Sequence, residues 1–391
     1  MLNLNHAIRH YRQELTMSNV SFSHDEAAAT VTFSSQVGVF DIPVLWLRER
    51  SREPQQLDEM TQQRLFNSHG IDPLINLTHL EPVAEEQAWL AFTDGHRALY
   101  DFRGLVDEIV GHSIFPQAQA WGSDLDRSAV RANWQTLDQP QAFLDALTVY
   151  LKYGFVIVHD VPTEPESILD VARKFGYVKE TNFGRYFEVY SRPDGNDLAY
   201  RSVHLGPHTD NPYRNPVPGI QLLHCLVNQT SGGLSTLVDS VNVVSQLAAE
   251  DPQGYALLCN TAVNFRFVDK GTELCSKRPI ISTDERGNTL GVHYSPRLDG
   301  LPLLPVAELR AYHRARQRLG ELFVDSRNEI QFRLEPGELM LFDNSRVLHG
   351  RTSYDSSEGH RHLQGCYIDL DGPKERFAST YKLLSSTAGQ E

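Results

Sequence analysis

From Gln139 onward the chain is a succession of short apolar, β-prone runs separated by turn residues and interrupted by only a few helical patterns. That alternation constrains the fold more than any single motif. Many short strands bury their apolar faces only by stacking into two sheets or closing into a barrel. Strands are expected over 153–158, 219–226, 235–238, 262–267, 329–334, 338–342 and 363–370. A helix is expected from Gln139, with Phe143, Leu144, Leu147, Tyr150 and Leu151 at helical spacing, and others over 166–176, 240–259 and 306–324. Asp251-Pro252 breaks the third of these. The predicted fold is mostly β with inserted helices, a double-stranded β-helix (jelly roll) whose open mouth suits a metal and a small ligand.

Residues from about 17 to 105 also read as β-rich, with strands over 29–33 and 88–92 and no helical pattern of comparable length. Residues 115–138, which contain Trp121-Gly122-Ser123, read as a polar connection. Two domains are therefore expected, a small N-terminal one over 1–110 and a larger one over 111–391. The net charge of −14 disfavours a nucleic-acid or anionic-membrane surface. Four scattered cysteines with no CxxC pair suit a reducing compartment. No apolar run approaches a membrane span, and MLNLNHAIRHYRQEL lacks the apolar core of a signal peptide, so a cytoplasmic protein is expected.

The chemistry-bearing residues centre on His208-Thr209-Asp210. At a strand or strand end, residues two apart point the same way, so His208 and Asp210 can meet one metal. Among 16 histidines one such triplet is unremarkable by itself. With His349, just past the apolar strand at 338–342, it makes two imidazoles and a carboxylate, the ligand set of a non-haem Fe(II) facial triad. Arg361 follows and leads into an apolar strand, where a guanidinium can grip a carboxylate in bidentate fashion. Upstream, Phe183, Tyr186, Phe187, Tyr190 and Tyr200 form a dense aromatic set. Such a set is either core packing or a cage for a quaternary ammonium group.

Together these residues resemble the γ-butyrobetaine and trimethyllysine hydroxylases, which are Fe(II)- and 2-oxoglutarate-dependent. The N-terminal part is similar through Trp46-Leu47-Arg48, Gln63-Arg64-Leu65-Phe66 and Asp94-Gly95-His96. The C-terminal part is similar through Trp121-Gly122-Ser123, His208-Thr209-Asp210, 218–224, Gly232-Gly233, Phe342-Asp343-Asn344, His349-Gly350-Arg351 and 361–363. The resemblance implies Fe(II), 2-oxoglutarate and O2 as cofactor and cosubstrates, with His208, Asp210 and His349 as iron ligands. It implies Arg361, assisted by Ser235, for the distal carboxylate of 2-oxoglutarate, and Phe183, Phe187, Tyr200 and Tyr367 as the trimethylammonium cage. Phe183 stands where the family has tyrosine, and Phe187 where it has tryptophan. Asp210 stands where related halogenases have alanine or glycine, which implies hydroxylation. A homodimer acting on a small trimethylammonium substrate is likewise implied.

Two departures matter. The family's N-terminal domain holds a structural zinc through three cysteines, but this chain has Ser51, Glu53 and Gln56 there and only His96 of the ligand set. One imidazole does not make a closed four-ligand site, so no zinc is expected. At the substrate's anionic end, Asp197 and Asn211 replace a family asparagine and tyrosine, and a further asparagine falls near His293 or Tyr294. Keeping the cage while changing these contacts implies a trimethylammonium zwitterion with a different acid. The expected substrate is 2-(trimethylammonio)ethylphosphonate, for which Asn211, His293 and Arg214 or Arg297 are suitable partners. The alternatives are γ-butyrobetaine hydroxylation, then trimethyllysine hydroxylation, and a non-catalytic 2-oxoglutarate-binding module.

Overall fold

The computed structural model describes residues 20–111, 113–190, 202–269 and 271–388. Backbone contacts divide the chain into two units, Met1–Ser113 and Ile114–Glu391.

The first unit holds two three-stranded antiparallel sheets, β1 (Ser21–Asp25), β2 (Thr30–Ser35) and β3 (Gly38–Pro43), and β4 (Leu77–Ala84), β5 (Gln87–Phe92) and β6 (Arg97–Asp101). Alternation along β2 and β5 sends Val31, Phe33, Ala88, Leu90 and Phe92 into one core. Two helices, α1 (Val44–Glu49) and α2 (Phe102–Val110), depart from the all-β expectation. The second is specified locally. The Asp101 side chain caps its first turn, Phe102, Leu105 and Val106 share its buried face, and Gly111 ends it in the left-handed region at φ 72°.

The second unit is built on two sheets. The larger runs β7 (Arg131–Asn133), β8 (Phe155–His159), β18 (Leu339–Asp343), β11 (Ile220–Asn228), β20 (Arg361–Ile368), β9 (Phe187–Tyr190). The smaller runs β10 (Leu205–His208), β19 (Val347–Arg351), β12 (Ser235–Asp239), β17 (Glu329–Phe332). Inward residues of both sheets, among them Phe155, Leu223, Cys225, Leu237, Phe332, Phe342, Val347 and Leu363, form one core cluster, so the sheets face each other as a jelly roll. Their period-two partners point outward. Val156, Ile220, Leu222, Leu341 and Cys366 pack beneath α3 (Pro140–Tyr153) and α4 (Ser167–Phe175). Val238 and Leu348 pack beneath α5 (Ser240–Glu250), α6 (Pro252–Asn260) and α7 (Val306–Phe323). Two ribbons, β13 (Val263–Asp269) with β14 (Thr272–Arg278) and β15 (Ile281–Thr283) with β16 (Thr289–Val292), and the C-terminal α8 (Gly372–Ala388) complete the unit.

Residues 115–138 are not a polar connection. Trp121 is buried against Phe155, its indole N–H donates to the Tyr153 carbonyl at 2.7 Å, and its backbone N–H donates to Asp239 at 3.1 Å. Asp239 is itself ion-paired with buried Arg346, so this segment is part of the larger unit's core. Among the described residues, no helix is long and apolar enough to cross a membrane.

Candidate metal centre and aromatic row

Strand pairing brings the three candidate ligands together. His208 ends β10 and lies opposite His349 in β19, which places His349 within a strand of its own rather than just past the preceding one. Asp210 lies two residues beyond β10, before a turn in which Asn211 adopts φ 54°. The ligand atoms of His208, Asp210 and His349 all lie within 4.8 Å of one another. The two Nε2 atoms stand 3.4 Å and 3.9 Å from one carboxylate oxygen, Asp210 Oδ1, and the imidazole centroids are 4.3 Å apart.

Each ligand is oriented by its surroundings. His208 Nδ1 lies 3.0 Å from the Gly206 carbonyl oxygen, which selects the tautomer that leaves Nε2 with its lone pair. The Tyr367 hydroxyl donates to Asp210 Oδ2 at 2.7 Å, leaving Oδ1 toward the imidazoles. Asn344, fully buried, clamps the loop from both sides. Its Oδ1 accepts the Asp210 backbone N–H at 2.7 Å, and its Nδ2 donates to the Asp210 and Pro218 carbonyls at 3.0 Å each.

Electrostatics favour ligation. Burial penalises the Asp210 carboxylate, but its surroundings, the two imidazoles and the Tyr367 hydroxyl, outweigh it and hold the group well below the usual carboxylate range. Burial, then the charges of His208 and Arg297, push His349 down to about 3 against the pull of Asp210. An ionised carboxylate and a neutral imidazole are the forms a divalent cation requires. His349 Nδ1 is buried without a hydrogen-bond partner. The donor set therefore fits one hard or borderline divalent metal with positions left open.

A second polar cluster surrounds Arg361, the first residue of β20. Arg361 is buried and its Nε has no acceptor. The face of Tyr354 lies 5.6 Å from its guanidinium carbon and 5.3 Å from that of Arg351. Ser235 opens β12 directly across the ladder from Arg351. Gly233, at φ 69°, lets the preceding loop press in, since a Cβ there would sit 2.9 Å from Arg361 Nε. A buried cation with a free donor suits the carboxylate of a small dicarboxylic acid.

Three of the four predicted cage residues form a continuous row. Phe183 and Phe187 have centroids 6.2 Å apart, and Phe187 and Tyr367 are 5.4 Å apart. Gly365, inward-facing between Leu363 and Tyr367, makes room, because a Cβ there would collide with the Phe187 ring. Tyr200 and Asp197 lie outside the described residues. Tyr186 and Tyr190 do not join the row. The Tyr186 hydroxyl donates to Glu166, and Tyr190 packs edge-on to His362. The sequence reading missed the row's extension, in which Phe267 meets Phe183 edge-on at 6.0 Å and stacks on Tyr213 at 4.7 Å. His293 is half-buried, with Nε2 3.3 Å from Ser282 Oγ, and burial with the charge of Arg278 pushes it down to about 4.

Residues 113–367 match the family described as taurine catabolism dioxygenase TauD, TfdA family. Residues 20–106 match the gamma-butyrobetaine hydroxylase-like N-terminal family. The gamma-butyrobetaine dioxygenase of Pseudomonas sp. (strain AK-1) is 31% identical over 342 residues, covering 84% of this chain and 87% of its own. That of Homo sapiens is 31% identical, covering 66% of this chain and 68% of its own. The mitochondrial trimethyllysine dioxygenase of Rattus norvegicus is 26% identical, covering 90% and 85%.

Proposed function

Since the chain belongs to the TauD, TfdA family and is an Fe(II)- and 2-oxoglutarate-dependent dioxygenase, we propose that it hydroxylates a trimethylammonium zwitterion, preferring 2-(trimethylammonio)ethylphosphonate. In this reading residues 111–391 are the catalytic domain and 1–110 an accessory domain. The observation that carries it is the row of aromatic faces that ends on the Asp210 carboxylate, because Tyr367 belongs to both. A cation with no N–H to donate is held by aromatic faces rather than hydrogen bonds.

His208, Asp210 and His349 hold Fe(II), and Arg361, assisted by Ser235, holds the distal carboxylate of 2-oxoglutarate. When bound, iron with 2-oxoglutarate and O2 supplies the oxidation, which hydroxylates the substrate and yields succinate and CO2. The chain supplies position and dryness. Gly206 and Tyr367 fix the ligand orientations, Asn344 fixes the loop, and Phe183, Phe187, Tyr200 and Tyr367 hold the ammonium end. Asn211 and His293 are assigned to the acid end, and Asp197, outside the described residues, keeps the assignment that the resemblance implies.

The preference for a phosphonate rests on the changed residues at 197 and 211. γ-Butyrobetaine is the second reading, favoured by the names of the relatives, and trimethyllysine the third. Succinate formation measured side by side with the three substrates is the test. Greatest turnover with the phosphonate is expected. Turnover of γ-butyrobetaine alone would reverse the order, and no succinate from any of the three would favour a non-catalytic 2-oxoglutarate-binding module. The proposal includes a cytoplasmic homodimer, consistent with four free cysteines, and light scattering at twice the monomer mass tests the dimer.

A further inference from the structure

Four buried nitrogen atoms around the turn after Asp210 have hydrogens to donate and no acceptor. They are Asn211 Nδ2, Arg214 Nε, Arg214 Nη2 and Arg278 Nε. Buried donors in folded proteins are nearly always paired, and leaving one unpaired is unfavourable, more so when it is charged.

These atoms belong to one place. The Arg214 backbone N–H donates to the Asn211 carbonyl at 3.0 Å, closing the turn in which Asn211 sits at φ 54°. Arg278, the last residue of β14, reaches across and donates Nη2 to the Arg214 carbonyl. The Tyr213 hydroxyl donates to Asn211 Oδ1, so Nδ2 is the end of that amide left over. The cluster also adjoins the aromatic row. The Arg214 guanidinium carbon lies 5.8 Å from the Tyr213 ring, which stacks on Phe267, and Phe267 meets Phe183.

We infer that Arg214 and Arg278, with the Asn211 carboxamide, form the receptor for the substrate's anionic end and select a tetrahedral dianion over a carboxylate. This rests on the reading of the chain as a hydroxylase of trimethylammonium zwitterions. The two arginines bring two positive charges to this turn, and the neighbouring imidazole, His293, is kept neutral by burial and by Arg278. One carboxylate balances one of those charges and offers two oxygens. A phosphonate dianion balances both and offers three oxygens to the four donors. Arg278 donates side-chain hydrogen bonds to the Arg214 carbonyl and Ser276 rather than to a metal ligand, so the two sites are expected to be separable by mutation.

The test uses Arg214→Gln, Arg278→Gln and the charge-keeping Arg278→Lys, each compared with the parent for melting temperature. KM is measured for the phosphonate, γ-butyrobetaine and 2-oxoglutarate, and methylphosphonate and acetate serve as anion probes by calorimetry. Each glutamine variant is expected to raise KM for the phosphonate by about tenfold or more, and that for γ-butyrobetaine less, with affinity for 2-oxoglutarate as in the parent. Methylphosphonate binding, stronger than acetate binding in the parent, is expected to fall in parallel, with Arg278→Lys between. Phosphonate KM and methylphosphonate affinity within about twofold of the parent in both glutamine variants would overturn the inference. Where a glutamine variant melts early, Arg214→Lys and Arg278→Lys decide, since lysine keeps the charge and loses the fork. If the parent turns over none of the substrates, the functional reading fails but the inference is still judged. Methylphosphonate binding lost in the variants upholds an anion receptor, and no binding to the parent removes it.

Discussion

The two units each place a histidine beside a carboxylate, with opposite outcomes. In the N-terminal unit, His96 Nε2 lies 2.8 Å from Ser51 Oγ, the His96 backbone N–H donates to Asp94, and Arg48 bridges Asp94 at 2.8 Å and Gln56 at 3.3 Å. Glu53 accepts the Leu99 backbone N–H. Ser51, Glu53 and Gln56, standing at the family's cysteine positions, are thus spent on protein partners. In the larger unit, His208, His349 and Asp210 aim lone pairs at one another with no hydrogen-bond donor between the imidazoles and only a carboxylate to share. A polar cluster whose bonds close on itself holds a fold together, and one whose lone pairs converge is a place for a cation. His224 supplies the control. Both its ring nitrogens lack partners, but it is fully buried beneath the helices with no converging group. Lack of a partner alone does not make a site.

The largest expected effect is at the converging cluster. His208→Ala or Asp210→Ala should abolish the anaerobic charge-transfer absorption of Fe(II) with 2-oxoglutarate and lower succinate formation by more than about a hundredfold. An absorption band near that of the parent would remove the distinction between the two histidine sites. Next comes the control histidine. Burial pushes His224 down to about 4 from 6.5, so between these values the unfolded chain binds a proton that the folded chain does not. Stability should therefore rise with pH across that window, by about 3 kcal/mol from this residue, and level off above it. His224→Gln should flatten that part of the denaturation profile, and an unchanged slope would show that the imidazole is not held neutral.

Arg361→Met should raise KM for 2-oxoglutarate by roughly thirtyfold, about 2 kcal/mol, as expected when one partner of a buried charge pair is removed. Equal loss of affinity for the trimethylammonium substrate would mean that Arg361 is structural. Tyr367→Phe keeps the ring and deletes the hydroxyl, so Fe(II) affinity should fall by about tenfold, the scale of a lost ligand-orienting partner. Phe187→Ala should weaken the substrate and leave Fe(II) titration as in the parent. The smallest effect belongs to the closed cluster. Ser51→Ala should cost about 1 kcal/mol of stability with succinate formation unaltered.

Elements whose residues all favour one structure were legible in the sequence. β8 and β18 carry continuous apolar runs and β11 a mostly apolar one, and α7 a sustained apolar face. The missed elements are those stabilised by partners rather than by composition. β10 is Leu-Gly-Pro-His, with little strand propensity of its own, and exists because β19 pairs with it. β14 has few apolar residues and is held by its ladder to β13. The metal set was visible because the His-x-Asp spacing is local. The roles of Asn344, Gly365 and Arg278 were not, since each acts on a residue far away in the chain.

The placement of Tyr367 restricts how such a site can diversify. Phe183 and Phe187 have ring contacts with one another and no polar atom to share, and the resemblance implies tyrosine and tryptophan exchanged for phenylalanine there. Tyr367 is shared property, its ring in the aromatic row and its hydroxyl on the Asp210 carboxylate. A lineage exploring new ammonium groups is free to redraw two walls of the cage. In the proposed reading the third also holds a metal ligand, so a change there alters both ends of the site at once.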